Sequence, residues 1–409
     1  MADAVREQYE DLPYPPRDPA DERKRLVTGS PGHILEIDHY IFAGARDWSQ
    51  PFRVLVAGGG TGDALIMLAQ QLKDRGCPAE LHYLDLSAAS RAIAEERARI
   101  RGLDSIEFHT GSLLDAAELG DFDYIDCCGV LHHLADPSAG FRALAGTLKT
   151  DGGIGAMVYG EIGRTGVYHA QDMLRMIAAD GPKAERVATA RKLVDSLPPT
   201  NWLKRNAAIT DYKGEDAALF DMLLHAQDRA YRVPDLAAEM DGAGLRPVAF
   251  IAPALYDPDT FVRDPELRRR LAGLSWIERC AFAELLGGHL RKHTFYCVPQ
   301  AQTADTVARP SERAAPVCRE TDGPALAAAI RSDGTIKVRE PGMAMNIRMP
   351  PLAAAILRQV DGRRTVAQIR AAIGPAASDD DFRRQFAVLY RALNGTNQML
   401  LRYPAGSVG

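Results

Sequence analysis

Arg53-Val54-Leu55-Val56-Ala57-Gly58-Gly59-Gly60-Thr61-Gly62-Asp63 is the stretch on which the fold turns. The apolar run Arg53–Ala57 stops at a string of glycines, the pattern of a buried parallel strand entering a tight turn. Gly58, Gly60 and Gly62 fall at G-x-G-x-G spacing, with Gly59 between the first two. Glycine reaches positive φ freely and lets the backbone approach a ligand with no Cβ in between. The dinucleotide fingerprint G-x-G-x-x-G needs its third glycine at position 63, and that residue is Asp63. A carboxylate at a helix N-terminus opposes a pyrophosphate, so the turn favours a nucleoside-like cofactor without phosphates.

Outward from the turn, strand and helix alternate at short spacing. Asp63–Arg75 reads as a helix, with Leu65, Ile66, Leu68, Ala69 and Leu72 spaced to bury one side. Glu80–Leu84 is a second strand ending at Asp85, and a helix from Ser87 or Ala88 to Arg101 stops at Gly102. Ile106–His109 and Phe122–Cys127 follow as strands, then a helix over 138–148. Asp151-Gly152-Gly153 is read as a turn into a fifth strand, Ile154–Tyr159. Such alternation implies a parallel sheet with helices on both faces. Residues 161–230 break the rhythm with helical segments Val167–Ala178, Pro182–Ser196 and Asp216–Ala230. A helix Pro234–Gly242, a strand Arg246–Ile251, a second insertion Asp257–Gly288 and a strand Thr294–Val298 complete a seven-stranded α/β domain over 51–299. Residues 1–50 form an arm with a Tyr/Pro cluster, 300–317 read as a linker, and 318–409 as a smaller α+β unit. Helices Leu352–Val360, Thr365–Ile373 and Asp379–Asn394 and a strand Asn397–Arg402 are expected in that unit.

Asp85 closes the second strand, where a carboxylate can accept both hydroxyls of a ribose. With that residue in place, four motifs in order resemble the class I methyltransferases. Val54–Gly62 is similar to their V-L-D-x-G-x-G-x-G, and Asp85 to their second-strand acid. Val130-Leu131-His132-His133-Leu134 resembles the segment after strand four, and Leu148–Gly153 the turn L-K-P-x-G-G. The resemblance implies a Rossmann-like seven-stranded sheet and S-adenosyl-L-methionine as methyl donor. It also implies a donor site at Gly58, Gly59, Gly60, Gly62, Asp63, Asp85, Leu86, Ser112, Leu113 and Gly129. Two residues depart from the pattern: Val56 stands at the usual acid of the first motif, and Ser112 at the acid after strand three. Asp63 or the backbone of Cys128-Gly129 is expected to take the donor's amino group instead. Val56 also favours the competing reading, a non-catalytic module that binds the cofactor or a nucleoside and works through protein contacts.

Methyl transfer from a sulfonium needs alignment and exclusion of water more than particular side chains. An acceptor that carries a proton also needs a base, a role suited to histidine. His133 is read either as that base or as a packing residue. Tyr159 and Glu161, with Tyr168 and His169, are placed at the acceptor side, under a cap formed by 161–230. The arm with Tyr9 and Tyr14 either closes over the cofactor, as the resemblance implies, or packs on the surface. His289 and His293 lie four apart, but no third ligand is evident and no metal is expected.

The remaining signals bound the class. A net charge of −5 and a pI near 6.1 argue against a nucleic-acid partner and leave a small-molecule or protein/peptide acceptor. Six cysteines without C-x-x-C spacing suit a reducing cytoplasm, and no apolar run reaches the ~20 residues of a membrane helix. Asp361-Gly362-Arg363-Arg364-Thr365, between two expected helices, is similar to winged-helix modules, including the PqqD-like peptide-binding type. That resemblance implies partner recruitment, with homodimerisation through this unit or the insertions as a further expectation.

Overall fold

The computed structural model describes residues 2–340, 343–374 and 377–404. Two helices precede the sheet, α1 (Ala2–Asp11) and α2 (Ile34–Ile41). The alternating core is β1 (Phe52–Ala57), α3 (Asp63–Asp74), β2 (Ala79–Asp85), α4 (Ala88–Arg101), β3 (Ile106–Thr110), β4 (Phe122–Cys128), α5 (Pro137–Gly146) and β5 (Leu148–Tyr159). A helical cap follows: α6 (Val167–Ile177), α7 (Lys183–Ser196), α8 (Trp202–Arg205) and α9 (Asp216–Leu223). The chain returns through α10 (Val233–Gly242), β6 (Leu245–Ile251), α11 (Pro265–Leu271), α12 (Trp276–Gly287) and β7 (Lys292–Pro299).

The seven strands are ordered β3-β2-β1-β4-β5-β7-β6. Strands β1 to β5 run parallel, and β7 is antiparallel to both β5 and β6. β1 is buried on both faces, as its unbroken apolar run predicts. One face packs against α2, α3 and α4 through Ile37, Ile41, Leu65, Leu68 and Ala94. The other carries Phe141 and Leu144 of α5 with Leu236 and Met240 of α10. Burying each such side chain contributes about 1.5–3 kcal/mol. The stripe on α3 therefore fixes the turn that feeds it. The cap has its own core, joining Val167 and Leu174 to Leu219, Phe220 and Leu223.

Several boundaries differ from the sequence reading. Asp151-Gly152-Gly153 is not a turn: β5 runs straight through it from Leu148, with a register irregularity against β4 between Phe122 and Tyr124. The glycines there give room, since a Cβ on Gly153 would lie 2.7 Å from Ile41 and one on Gly155 2.2 Å from the Tyr124 hydroxyl. The helix expected over Asp216–Ala230 ends at Leu223, and an extended segment carries the chain to Tyr231 beside β5. The stretch 300–317 is no free linker. Thr306 accepts the N–H of Ala43, the N–H of Ala308 donates to His39, and β8 (Ala315–Cys318) begins inside it.

The C-terminal unit comprises β8, α13 (Gly323–Ala328), β9 (Thr335–Glu340), β10 (Met343–Arg348), α14 (Ala353–Leu357), α15 (Val366–Ile373), α16 (Asp379–Gly395) and β11 (Met399–Arg402). The β9–β10 hairpin was not foreseen, and β8 pairs with β11. α2 joins this unit to the sheet. His39 meets the backbone of Leu401, and buried Glu36 receives the Tyr296 hydroxyl at 2.6 Å and the Asn397 amide at 2.6 Å.

Arg97 is the largest fully buried side chain. It donates to Glu22 at 2.8 Å, to Asp63 at 2.8 Å and to the Thr61 carbonyl at 2.7 Å, tying the arm to the glycine turn. Arg97→Met keeps the volume, removes the buried contacts to Glu22 and Asp63, and leaves the Glu22 carboxylate to Arg101 alone among the described residues. Urea unfolding is expected to show a loss of about 3–5 kcal/mol. A loss below about 1 kcal/mol, the value of an exposed pair, would contradict this account of the arm.

Candidate functional site

At the C-terminal edge of the sheet, the glycine turn leaves β1 with Gly58 at φ +71°, Gly60 at +51° and Gly62 at +98°. A Cβ on Gly58 would lie 2.3 Å from Val130, and one on Gly59 2.3 Å from the Tyr83 ring, so neither position admits a side chain. Tyr83 braces the turn by donating to the Gly60 carbonyl at 2.7 Å. The N–H of Gly60 donates to Asp85 Oδ2 at 2.8 Å and that of Ser87 to Oδ1 at 2.8 Å. Each oxygen of Asp85 keeps a second lone pair, enough for a vicinal diol. Burial pushes this carboxyl above its ordinary pKa, while those N–H bonds hold it down.

Asp63, expected at the donor site, is already engaged by the arm and by α4. Its carboxylate is gripped by Arg17 at 2.5 and 2.8 Å and by Arg97 at 2.8 Å, which hold its pKa down against burial. No charge remains there for an ammonium, and its repulsion of phosphate is offset by the two arginines. Ser112 is also committed, since its hydroxyl caps the turn at Leu114 N–H, 3.2 Å away. Leu113 is buried, Leu86 is half-buried, and the Gly129 N–H donates to the Met157 carbonyl at 3.0 Å.

The carboxylate missing at Val56 has a neighbour that the sequence reading overlooked. Asp126 of β4 lies directly across the ladder from Val56. It is 1% exposed, and its Oδ2 accepts the Tyr124 hydroxyl at 3.0 Å. Its Oδ1 has no partner among the described residues. Burial pushes its pKa up to about 7, against the Tyr124 hydrogen bond.

The arm closes this region from above. Glu10 of α1 caps α4 by accepting the N–H groups of Ala88 at 2.6 Å and Ala89 at 3.1 Å. The Thr61 hydroxyl donates to the Pro15 carbonyl at 2.8 Å, and the Tyr14 carbonyl would lie 3.0 Å from a Cβ on Gly60. The sequence left open whether this arm closes or merely packs. The structure lays it over the turn.

Beyond the turn lies a cleft of about 200 Å³ bordered by Tyr14, Met157, Tyr159, Ile209, Asp211, Asp221 and Met222, with Arg164, Arg291 and Lys292 also at its wall. Asp221, on α9 of the cap, is nearly buried. Its Oδ1 accepts the Tyr9 hydroxyl at 3.2 Å and its Oδ2 the Tyr159 hydroxyl at 3.0 Å, so hydroxyls rather than a cation meet it. Tyr9 spans both halves of the site: its hydroxyl meets the cap, and its carbonyl accepts from Ser87 beside Asp85 at 3.1 Å. The guanidinium of Arg164 sits 3.7 Å from the centre of the Tyr159 ring and is paired with Asp228 at 3.1 Å.

His133 and His225 stand beside the Asp221 carboxylate, and His132 lies against His133. His133 and His225 stack with centroids 3.8 Å apart, and His132 lies 4.0 Å from the Tyr159 ring. His133 Nδ1 faces the Gln227 carbonyl at 2.8 Å, so it carries the proton and Nε2 keeps the lone pair. Burial holds all three below the ordinary histidine pKa, His225 at about 4. They are neutral near pH 7. Tyr159 and His133 are thus brought together as expected. Glu161 is not: it is exposed, its N–H is tied to the Tyr231 carbonyl, and it is absent from the cleft wall. His169 is exposed as well, and Tyr168 supports Arg164 at 3.0 Å. His293 is buried between the Tyr256 hydroxyl and the Tyr231 carbonyl, both at 3.0 Å, a structural place.

Comparison with known proteins agrees with this geometry. Residues 55–154 match a family described as a methyltransferase domain. An uncharacterised protein of Synechococcus sp. is 33% identical over 305 residues, 72% of this chain and 71% of that protein. PKMT2 from Rickettsia typhi superposes with a TM-score of 0.63 at 15% identity, covering 91% of this chain and 75% of that one. Its complex with AdoHcy gives the same TM-score at 14% identity, over 90% and 75% of the two chains. At these identities the superposition speaks for the fold.

Proposed function

Since the chain belongs to the class I S-adenosylmethionine-dependent methyltransferases, we propose that it methylates the nitrogen of an amine at the end of a slim alkyl chain, on a small molecule or a protein. S-adenosylmethionine, when bound, supplies an electrophilic methyl group on a sulfonium. The residues present fit this donor. The glycine turn offers bare backbone, Asp85 offers two lone pairs to the ribose, and Asp126 offers an unpaired carboxylate oxygen for the amino group. On this reading the acid absent from β1 is supplied by β4.

The observation that carries the acceptor class is Asp221, a buried carboxylate at the wall of a narrow cleft, whose hydrogen bonds among the described residues come from two tyrosine hydroxyls. Such a group attracts an ammonium, and the ring of Tyr14 adds an aromatic surface at the cleft wall. An ammonium must lose a proton before it can attack. On this reading His133 takes it: the residue stands behind the cleft wall, with a ring nitrogen within 4.8 Å of an Asp221 carboxylate oxygen, and the Gln227 carbonyl leaves its Nε2 with a lone pair. A depressed histidine pKa keeps that lone pair available across neutral pH and loses it only as pH falls through the lowered value. The cap and arm exclude water from the reaction.

A panel of lysine-bearing peptides, free alkyl amines, carboxylic acids and alcohols, followed by release of S-adenosylhomocysteine, tests the acceptor. Turnover confined to the amines is expected. Turnover confined to carboxylates or hydroxyls would overturn the acceptor class while leaving the donor site intact. Among the described residues no helix is long and apolar enough to cross a membrane.

A further inference from the structure

Adjacent strands at the edge of the sheet carry the same Glu-x-His pattern, Glu80-Leu81-His82 on β2 and Glu107-Phe108-His109 on β3. The ladder pairs His82 with Glu107, and the two-residue period of a strand puts all four polar side chains on one face. His82 Nδ1 lies 3.2 Å from His109 Nε2, and Glu107 Oε2 lies 3.7 Å from each of these nitrogens. Tetrahedral zinc, with bonds of about 2.0–2.1 Å, holds its ligand atoms about 3.3 Å apart. The three donors therefore already stand near the spacing that one zinc ion imposes. From this geometry we infer that His82, Glu107 and His109 form a binding site for a divalent transition-metal ion, zinc foremost.

The surroundings support the assignment. His82 Nε2 lies 2.8 Å from Glu80 Oε1 and 3.2 Å from the Arg53 guanidinium; the shorter contact is to a carboxylate, which only accepts, so it puts the ring proton on Nε2 and leaves Nδ1 as a lone pair. A carboxylate behind a metal-binding histidine is the usual outer partner of such a site. The Arg53 guanidinium lies on that Nε2 side, bonded to Glu80 at 2.9 Å, and so does not face the donors. His82 is buried, His109 half-buried and Glu107 exposed, which leaves a path for the ion and room for a water as fourth ligand. Two imidazoles with one carboxylate select zinc over magnesium or calcium, which prefer oxygen alone. The buried trio His133, Asp221 and His225 is also close enough to bind a metal. It fails on chemistry: His225 Nδ1 accepts the Gln227 N–H at 3.0 Å, so its proton sits on Nε2 and no lone pair remains. His82 is three residues from Asp85, about 10 Å along the strand. The ion thus acts as a staple for edge strand β3 rather than on the reacting atoms.

The test is titration of chelator-treated full-length protein with cobalt(II), then displacement by zinc. One equivalent is expected, with tetrahedral ligand-field bands and no sulfur-to-cobalt charge transfer. His109→Gln and Glu107→Gln, both at exposed or half-exposed positions, should each weaken binding at least tenfold, and zinc should raise the thermal midpoint of the wild type only. His133→Gln should bind cobalt as the wild type does. Absence of uptake, a thiolate band, or unchanged affinity in both substituted proteins would overturn the site.

Discussion

Asp221→Asn is expected to lower the rate of methyl transfer to an amine at least about 100-fold while leaving donor affinity within about threefold, on the scale seen when one charged catalytic group is removed. The substitution keeps the shape of the side chain and removes its charge. It also turns one acceptor oxygen into an NH₂ donor that faces a tyrosine hydroxyl, Tyr9 or Tyr159, each of which now donates to Asp221. That hydroxyl can turn to accept from the NH₂, but its own O–H then loses its acceptor, so the cap side of the cleft loses its fit as well as its attraction for an ammonium. The separation of effects matters. Asp221 sits on α9, and Tyr9 links it to the cofactor half by its hydroxyl on Asp221 and its carbonyl on Ser87. A parallel loss of donor binding would mean that Asp221 serves the cofactor and that the acceptor cleft has been misplaced.

Gly60→Arg is expected to abolish donor binding with the fold intact. Gly60 holds φ +51°, its N–H is spent on Asp85, and a Cβ there points toward the Tyr14 carbonyl 3.0 Å away. An arginine at this point fills the gap between turn and arm, where the donor must enter. By contrast, Gly58 and Gly59 already face Val130 and Tyr83 at 2.3 Å, so substitutions there would disturb the sheet and could not separate binding from folding. Circular dichroism unchanged from the wild type, together with no measurable heat on donor addition, is the expected pair of results. Retained binding would show that the donor does not pass over Gly60.

The order of β1 to β5 was legible because strand and helix alternate at short spacing between turn residues, and because the glycine turn is followed by Asp85 at the end of the next strand. Gly152 and Gly153 misled for a physical reason. Glycine marks either a turn or a close approach, and only tertiary structure shows that α2 presses on β5 through Ile41. α2 itself escaped notice because Glu36, Asp38 and His39 read as surface residues until Tyr296, Asn397, Arg46 and Leu401 are brought to them.

The candidate site was half visible. Asp85 and the glycines lie in one motif, and His133 follows a strand end, so their neighbourhood is local. Asp221, His225 and Tyr9 carry no motif; Tyr9 and Asp221 meet only because the arm and the cap fold over the same edge from 212 residues apart. Asp126 was hidden for another reason. A carboxylate inside an apolar strand reads as an interruption until the ladder sets it beside Val56. The partners of Asp63 were hidden too, since nothing local announces Arg17 and Arg97.

Calorimetric titration with S-adenosylmethionine of the wild type and of Asp85→Ala tests the central claim most directly. A donor site built on Gly58–Gly62 and Asp85 predicts saturable binding at one donor per chain, weakened at least about tenfold in Asp85→Ala, the worth of a lost pair of charge-assisted hydrogen bonds. Equal affinity in the two proteins, or no binding to either, would contradict it.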